Sequence, residues 1–275
     1  MMNWLRQPAT PTQITHGKRL WLYVISGLVM LFLILPTLIV IPMSFSESQY
    51  LEFPPREWSL RWYKNYFGST SWMLATATSF KAGFLTMILS TLVGTMAAYG
   101  LHTARMRFSG LVFSILLTPI VVPIILVGIG VFYVYVKLGL VNTMAGIVLA
   151  HSMLAIPLVV MVVSSALKSY DMNQERVARS LGASRTYAFF FVTLPQIRFS
   201  VISGAVLSFL TSFDEVIVSL FISGGENSTL TRNMFAALRD QIDPTIAAIS
   251  TLVVVLTSIL LAISQIFGKN SALPD

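Results

Sequence analysis

The sequence predicts an all-α polytopic membrane protein with six transmembrane helices, and two observations carry that prediction. Only 11% of the 275 residues are charged and 55% are hydrophobic, against about 25% charge in a soluble domain. So little charge cannot cover a water-facing surface. Six apolar runs also reach the ~20 residues that a helix needs to cross the hydrocarbon core. They are residues 20–42, 82–101, 111–136, 143–167, 199–222 and 245–267.

The first run follows a polar stretch, residues 1–19, that contains Pro8, Pro11, His16, Lys18 and Arg19. It opens on Trp21 and Tyr23, where aromatic rings favour the membrane interface. It closes on Pro42-Met43-Ser44-Phe45 rather than on a small-residue cleavage site, so a retained span is expected rather than a cleaved signal peptide. Residues 43–81 carry Trp58, Trp62, Tyr63, Tyr66, Phe67 and Trp72, a composition suited to a short helix at the interface. Those four outer-mouth aromatics Trp58, Trp62, Tyr63 and Tyr66 read as an interfacial belt, with a cation–π contact to an ammonium group as the alternative. The third and fourth runs contain Pro119, Pro123 and Pro157, which membrane helices tolerate.

Orientation follows from the basic residues. Arg6, Lys18, Arg19, Arg105, Arg107, Lys168, Arg176, Arg179, Arg185, Arg198 and Lys269 flank one side, and Arg56, Arg61, Lys64, Lys137, Arg232 and Arg239 the other. The richer side is cytoplasmic by the positive-inside rule, which puts both termini and the loop 168–198 inside. Lys81, at a span edge, reads as a snorkelling residue. The net charge of +7 thus belongs to the cytoplasmic flanks and not to a nucleic-acid surface. The organisation is a tail over 1–19, a six-helix membrane domain over 20–267 and a tail over 268–275.

Several chemistries are excluded. There is no cysteine, hence no disulfide, thiolate metal site or cysteine nucleophile. Neither G-x-x-x-x-G-K-[ST] nor H-E-x-x-H occurs, so no phosphate-cradling loop or zinc helix is expected. His16, His102 and His151 lie far apart in sequence and read as surface or packing residues. Asn227-Ser228-Thr229 reads as a polar loop. No cofactor or metal is expected on this chain.

The loop 168–198 contains NQERVARSLGASRTYAFFFVTLP from Asn173 to Pro195. Helix formers run from Gln174 to Leu181, Gly182 breaks the helix as a C-cap does, a second helical stretch starts at Ser184, and Pro195 leads into the fifth span. The small residues Ala178, Ser180 and Ala183 permit close approach to a partner. In the fifth span, Asp214-Glu215 places two carboxylates within an apolar run, where each costs about 2.5–3.5 kcal/mol on insertion scales and so faces protein or water. Gly204, Ser208, Ser212, Glu215 and Ser219 recur at helical spacing as a polar stripe, and Asp214 lies about 100° round from Glu215 on the face with Thr211. Two readings stay open: an anionic wall of a path for cationic cargo, or a structural role in capping a broken helix or bonding to a neighbouring span.

The loop resembles the EAA loop of ABC importer permeases, whose pattern is E-A-A, three residues, Gly, nine residues, Ile, one residue, Leu-Pro. Ala178, Gly182, Leu194 and Pro195 match; Val192 stands at the Ile position, Val177 at the first Ala, and Arg176 at the Glu, with Glu175 one residue earlier. The resemblance implies a coupling helix that docks into an ATPase subunit, carried here by Glu175, Arg176, Ala178, Arg179, Leu181, Gly182, Ala183, Ser184, Leu194 and Pro195.

Further segments resemble the spermidine/putrescine group of these permeases, in particular the second permease of the pair. They are Phe53-Pro54-Pro55 with Ser59-Leu60-Arg61-Trp62-Tyr63; Ser212-Phe213-Asp214-Glu215-Val216 with Ser219-Leu220-Phe221-Ile222-Ser223-Gly224; and Asp243-Pro244-Thr245-Ile246-Ala247-Ala248. The resemblance implies a type I ABC importer transmembrane domain in the bacterial inner membrane, paired with a related permease, two ATPase subunits that carry ATP and Mg, and a periplasmic substrate-binding protein. The substrate path would run past Asp214, Glu215, Ser208, Thr211, Ser212 and Ser219. Another small amine or an amino acid remains an alternative cargo, and a proton-coupled secondary transporter an alternative class.

Overall fold

The computed structural model describes residues 15–104, 107–240 and 243–269. The stretches 1–14 and 270–275, with Arg6, and also Arg105, lie outside the described residues. Helices α1 (Leu20–Met43), α2 (Arg61–Gly68), α3 (Thr70–Thr103), α4 (Ser109–Val121), α5 (Ile124–Leu138), α6 (Met144–Ser169), α7 (Asn173–Ser180), α8 (Arg185–Ala188), α9 (Leu194–Asp214), α10 (Ile217–Ile222), α11 (Leu230–Asp240) and α12 (Thr245–Lys269) make up the described chain. It divides into two compact units, Met1–Asn65 with Asp243–Val254, and Tyr66–Ile242 with Val255–Asp275.

The first unit contains α1, a continuous apolar rod whose internal Pro36 and Pro42 do not break it. Beyond it the chain folds back: Ser59 N donates to Phe45 O at 2.6 Å and Glu47 N to Glu57 O at 3.2 Å. Phe45 lies against Trp58 and Tyr63, the Tyr63 hydroxyl bonds Ser44 Oγ at 2.7 Å, and Trp62 Nε1 donates to Ser48 O at 3.1 Å. The expected short aromatic helix is α2, which holds Trp62, Tyr63, Tyr66 and Phe67; Trp58 precedes it and Trp72 belongs to α3. Trp62 and Tyr66 are buried rather than laid on a surface.

The second unit is built on α3, α6 and α9, which pack pairwise against one another. The approach of α3 to α6 requires glycine at one point: a Cβ on Gly94 would stand 2.7 Å from Val159 Cβ, whereas one on Gly204 would meet Val159 Cγ1 at an ordinary 3.4 Å. Small residues at helix interfaces supply the close packing that lipid, being as apolar as leucine, does not drive. Ala98, Val159, Val163, Leu167 and Ile197 close one end of this core, and Tyr135, Ala150, Leu154, Val218 and Ile222 the other.

Two of the expected spans are interrupted. The run 111–136 is not one straight helix: α4 and α5 meet at a 97° bend. Val122 is extended there, as the residue before a proline prefers, and Pro123 cannot donate to the ladder. The run 199–222 also breaks: α9 ends at Asp214, Glu215 is extended, and α10 restarts at Ile217. Among the described residues, four helices are long and apolar enough to cross a membrane, the bent pair counts as a fifth if it is one span, and the apolar part of α12, Thr245–Leu260, is shorter. The structure thus gives four or five of the six expected crossings.

Candidate functional site

Two regions hold the residues singled out from sequence, both in the second unit. In the first, α7 begins at Asn173 and ends at Ser180. Gly182 then adopts φ +99°, the left-handed region that glycine enters freely, and no atom lies within 4 Å of where its Cβ would be. Its requirement is conformational rather than steric. Ser184 caps α8, its Oγ accepting from Tyr187 N at 3.2 Å. The expected helix–glycine–helix layout is present, within a residue of the expected bounds.

The helix after the turn does not start afresh at Pro195. It runs on through a five-residue π turn, Phe189–Thr193, into α9. Leu194 N donates to Phe189 O, and Pro195, with no N–H of its own, sits in the first turn of α9. Leu194 packs against the Ala98–Leu167 cluster.

Glu175 is buried at 3% exposure. Its Oε1 accepts from the Tyr99 hydroxyl on α3 at 2.7 Å, and its Oε2 from Thr193 Oγ1 in the π turn, also at 2.7 Å. One carboxylate thus ties α7 to two other elements. The guanidinium of Arg185 donates to Thr103 Oγ1 at 2.6 Å and lies 5.5 Å from the Tyr99 ring centroid. Arg176, at the position where a Glu was expected, is exposed and donates to Asn173 Oδ1 at 3.1 Å. Arg179 and Leu181 are exposed, and Ala178 and Ala183 partly so.

In the second region, the break at Glu215 separates two neighbouring carboxylates. Glu215 is buried and its Oε1 accepts from Val218 N at 2.8 Å, capping the first turn of α10. Asp214 is exposed, and among the described residues no side chain or backbone N–H bonds to it. His151 of α6 is fully buried and spans the break. Its Nδ1 lies 2.8 Å from Ser212 Oγ on α9, and its Nε2 3.1 Å from Ser219 Oγ on α10. Ser212 Oγ in turn donates to Thr86 Oγ1 at 3.3 Å. With Ser212 donating onward, Nδ1–H donates to Ser212 and Nε2 accepts from Ser219, which a neutral imidazole satisfies. Ser208 is buried and donates to Gly204 O, and Thr211 donates to Leu207 O. Of the six residues expected along a path, Ser208, Ser212, Glu215 and Ser219 therefore lie in the helix core, Thr211 is partly exposed and bonds back to its own helix, and Asp214 is exposed.

Residues 90–271 match the family model described as binding-protein-dependent transport system inner membrane component. The chain belongs to this family. It is a multi-pass inner-membrane transport subunit and not an enzyme. Similar proteins include the spermidine/putrescine transport system permease protein PotC of Haemophilus influenzae, 27% identical over 87% of this chain and 93% of that one. The putrescine transport system permease protein PotI of Escherichia coli K12 is 31% identical over 85% of each. The molybdenum transport system permease protein ModB of Mycobacterium bovis is 29% identical over 74% of this chain and 81% of its own. Among solved structures, a chain of a bacterial ABC transporter involved in the import of the acidic polysaccharide alginate matches with TM-score 0.68 at 14% identity, over 93% of this chain and 98% of that chain. That likeness establishes the fold, the permease fold of a type I ABC importer.

Within this family frame, sequence reasoning missed three features: the His151 bridge, the Tyr99 and Thr193 partners of Glu175, and the π turn. One carried a signal. His151 is a polar residue inside an apolar span, which calls for a partner, and Ser212 and Ser219 stand seven residues apart on the run it meets. Tyr99 and Thr193 gave no such sign.

Proposed function

We propose that this permease forms half of the translocation path for a small cationic amine such as spermidine or putrescine, in an importer driven by ATP hydrolysis on partner subunits. The chain pairs with a second, related permease; two ATPase subunits holding ATP and Mg engage it from the cytoplasm, where both termini lie, and a periplasmic binding protein delivers cargo. No cofactor resides on this chain. The names of PotC and PotI, similar over most of this chain, support the amine cargo. The structural observation that carries the reading is the exposed, unpaired carboxylate of Asp214. A carboxylate at membrane depth is too costly to leave against lipid, and an anionic group on a pore wall concentrates cations.

The segment Glu175–Pro195 acts as the lever. Glu175 joins α7 to α3 and to the π turn, so a push on α7 reaches two spans through hydrogen bonds rather than through a slack loop. Val177 and Leu181, 57% and 84% exposed, offer the apolar face for the ATPase, and Gly182 fixes the angle between the lever and α8.

The test is uptake by the full assembly in proteoliposomes, with ATP supplied, using labelled putrescine, spermidine and a zwitterionic ω-amino acid. Saturable uptake of the two amines and not of the amino acid is expected; the reverse preference overturns the cargo reading. Uptake that persists without ATP and collapses with an uncoupler overturns the ATP-driven reading. Gly182→Val, which forces a β-branched residue into a conformation about 1–2 kcal/mol unfavourable for it, is expected to leave the assembly intact while ATP hydrolysis proceeds without uptake. Unchanged uptake removes the case for the lever.

A further inference from the structure

At one end of the spans, beside the lever, lies a cavity of about 370 Å³. Its walls include His102 and Thr103 from the end of α3, Glu175, Arg176 and Arg179 from α7, and Arg185 from α8. The balance of charge there is positive. Both oxygens of Glu175, the one carboxylate in the wall, already accept hydroxyl bonds from Tyr99 and Thr193. The one ion pair among the described residues is Arg239 with Asp240, in another part of the chain. Three guanidinium groups thus face a polar cavity with no acidic side chain paired to any of them. Arg185 is fixed in place by Thr103 and by the Tyr99 ring, so its remaining N–H groups are preorganised for an oxyanion.

A second cavity, also about 370 Å³, shares the His102 wall and is of a different character. Leu101, Gly110, Phe113, Ser164 and Lys168 line it. These residues come from the end of α3, the start of α4 and the end of α6, where apolar helices terminate. A basic polar cavity beside a more apolar one, at the ends of apolar helices, matches the two halves of an amphiphile.

We infer that the basic cavity binds the phosphate of an anionic phospholipid, with its acyl portion entering the neighbouring cavity past His102. The occupant is lipid rather than an acidic segment of the ATPase because α7 separates the two surfaces. Arg179 lies about 160° round α7 from the exposed Val177 at 100° per residue, with Arg176 between them, and Leu181 is exposed just beyond the end of the helix. A lipid phosphate held by Arg176, Arg179 and Arg185 bridges the lever to α3 and tightens the same connection Glu175 makes. The inference rests on the proposed function in treating α7 as the lever; occupancy itself does not depend on that role.

The experiment uses the full assembly in nanodiscs containing equal parts phosphatidylglycerol and phosphatidylcholine, with retained lipid counted by native mass spectrometry. Wild-type assembly is expected to retain phosphatidylglycerol preferentially. Each basic residue near an anionic lipid contributes about fivefold in affinity, so Arg176→Gln and Arg179→Gln together should reduce that retention on the order of twentyfold. Arg176→Lys with Arg179→Lys, which keeps the charge, should preserve most of it and shows that the glutamine effect is not misfolding. Equal retention of the two lipids by wild type, or unchanged retention in the glutamine variant, overturns the inference. Loss of the ATPase subunit from the glutamine variant with lipid retention unchanged also overturns it, and assigns the pocket to protein docking. Inorganic phosphate added at millimolar concentration should not displace the lipid; phosphate binding without any lipid preference would make the site one for soluble anions. Labelling of Ser180→Cys in inside-out vesicles checks sidedness separately. A periplasmic result there would defeat the lever reading while leaving the nanodisc result, in which both faces are accessible, to stand.

Discussion

Glu175 is 3% exposed and gives each of its oxygens to a hydroxyl, from Tyr99 and from Thr193; Asp214 is exposed and accepts from no described residue of the chain. Both are acidic groups on the same unit, Glu175 in the first turn of α7 and Asp214 at the last residue of α9, and sequence inspection singled out both. The difference lies in where each carboxylate is completed. Glu175 is completed inside the chain, so its energy goes into geometry. Asp214 is completed by no described residue of the chain. Glu215 belongs with Glu175 in this respect, because it caps α10 through Val218 N. Adjacent residues in sequence thus have opposite surroundings, and the helix break between α9 and α10 is what separates them.

This contrast can be broken by mutation, and the expected effects fall in order. Glu175→Ala removes two hydrogen bonds to a charged acceptor, each about 1.5–3 kcal/mol, and leaves two donors unmatched. A large fall in the thermal unfolding temperature of the assembly and loss of uptake are expected; an unchanged melting curve would show that the Glu175 bridge carries no strain between helices. His151→Leu strands the hydroxyl of Ser219 and leaves that of Ser212 only its bond to Thr86, at about 1–3 kcal/mol for the group left unsatisfied. Faster hydrogen exchange at the amides of α10 should accompany the loss of stability, and unaltered exchange would mean that the bridge does not hold the break. Glu215→Gln keeps a carbonyl oxygen in place for Val218 N, so a change below about 1 kcal/mol is expected. A larger loss would move Glu215 into the same class as Asp214. Asp214→Asn should leave stability unchanged and raise the KM for a divalent or polyvalent amine by roughly fivefold, the equivalent of about 1 kcal/mol, the upper end for a solvent-exposed ion pair. The same KM with altered stability would reverse the comparison.

The helix–glycine–helix segment was legible because it depends on local chemistry. A run of helix formers, a glycine in the left-handed region and a capping serine are each decided within a few residues, and α7, Gly182 and Ser184 lie where they are expected. The spans were legible as apolar lengths, and the interruptions in them were not. Pro119 and Pro157 sit inside helices, whereas Pro123 stands at a 97° bend. No local pattern separates the three; what differs is the packing of α5 onto α10, where Gly128 admits Phe221 so closely that a Cβ there would lie 2.7 Å from its ring. The Glu175 bridge was hidden for a similar reason. Its partners are 76 and 18 residues away, and the departure from the family pattern drew attention to Arg176 instead. The polar stripe had the correct periodicity, but periodicity cannot say whether a stripe faces a pore or the neighbouring helices. His151 supplies that answer for Ser212 and Ser219.

The π turn at Phe189–Thr193 has a consequence for how this chain tolerates change. A π turn accommodates one residue more than an α turn, so everything preceding it is rotated by about 100° relative to an unbroken helix. Deleting any single residue between Phe189 and Thr193 would restore ordinary winding and swing Arg185 a quarter-turn away from Thr103, with every remaining side chain chemically unaltered. The number of residues separating Gly182 from Pro195 is thus a mechanical specification in its own right. Chimaeras that trade this segment between relatives should survive substitutions within it far better than a change of one in its count.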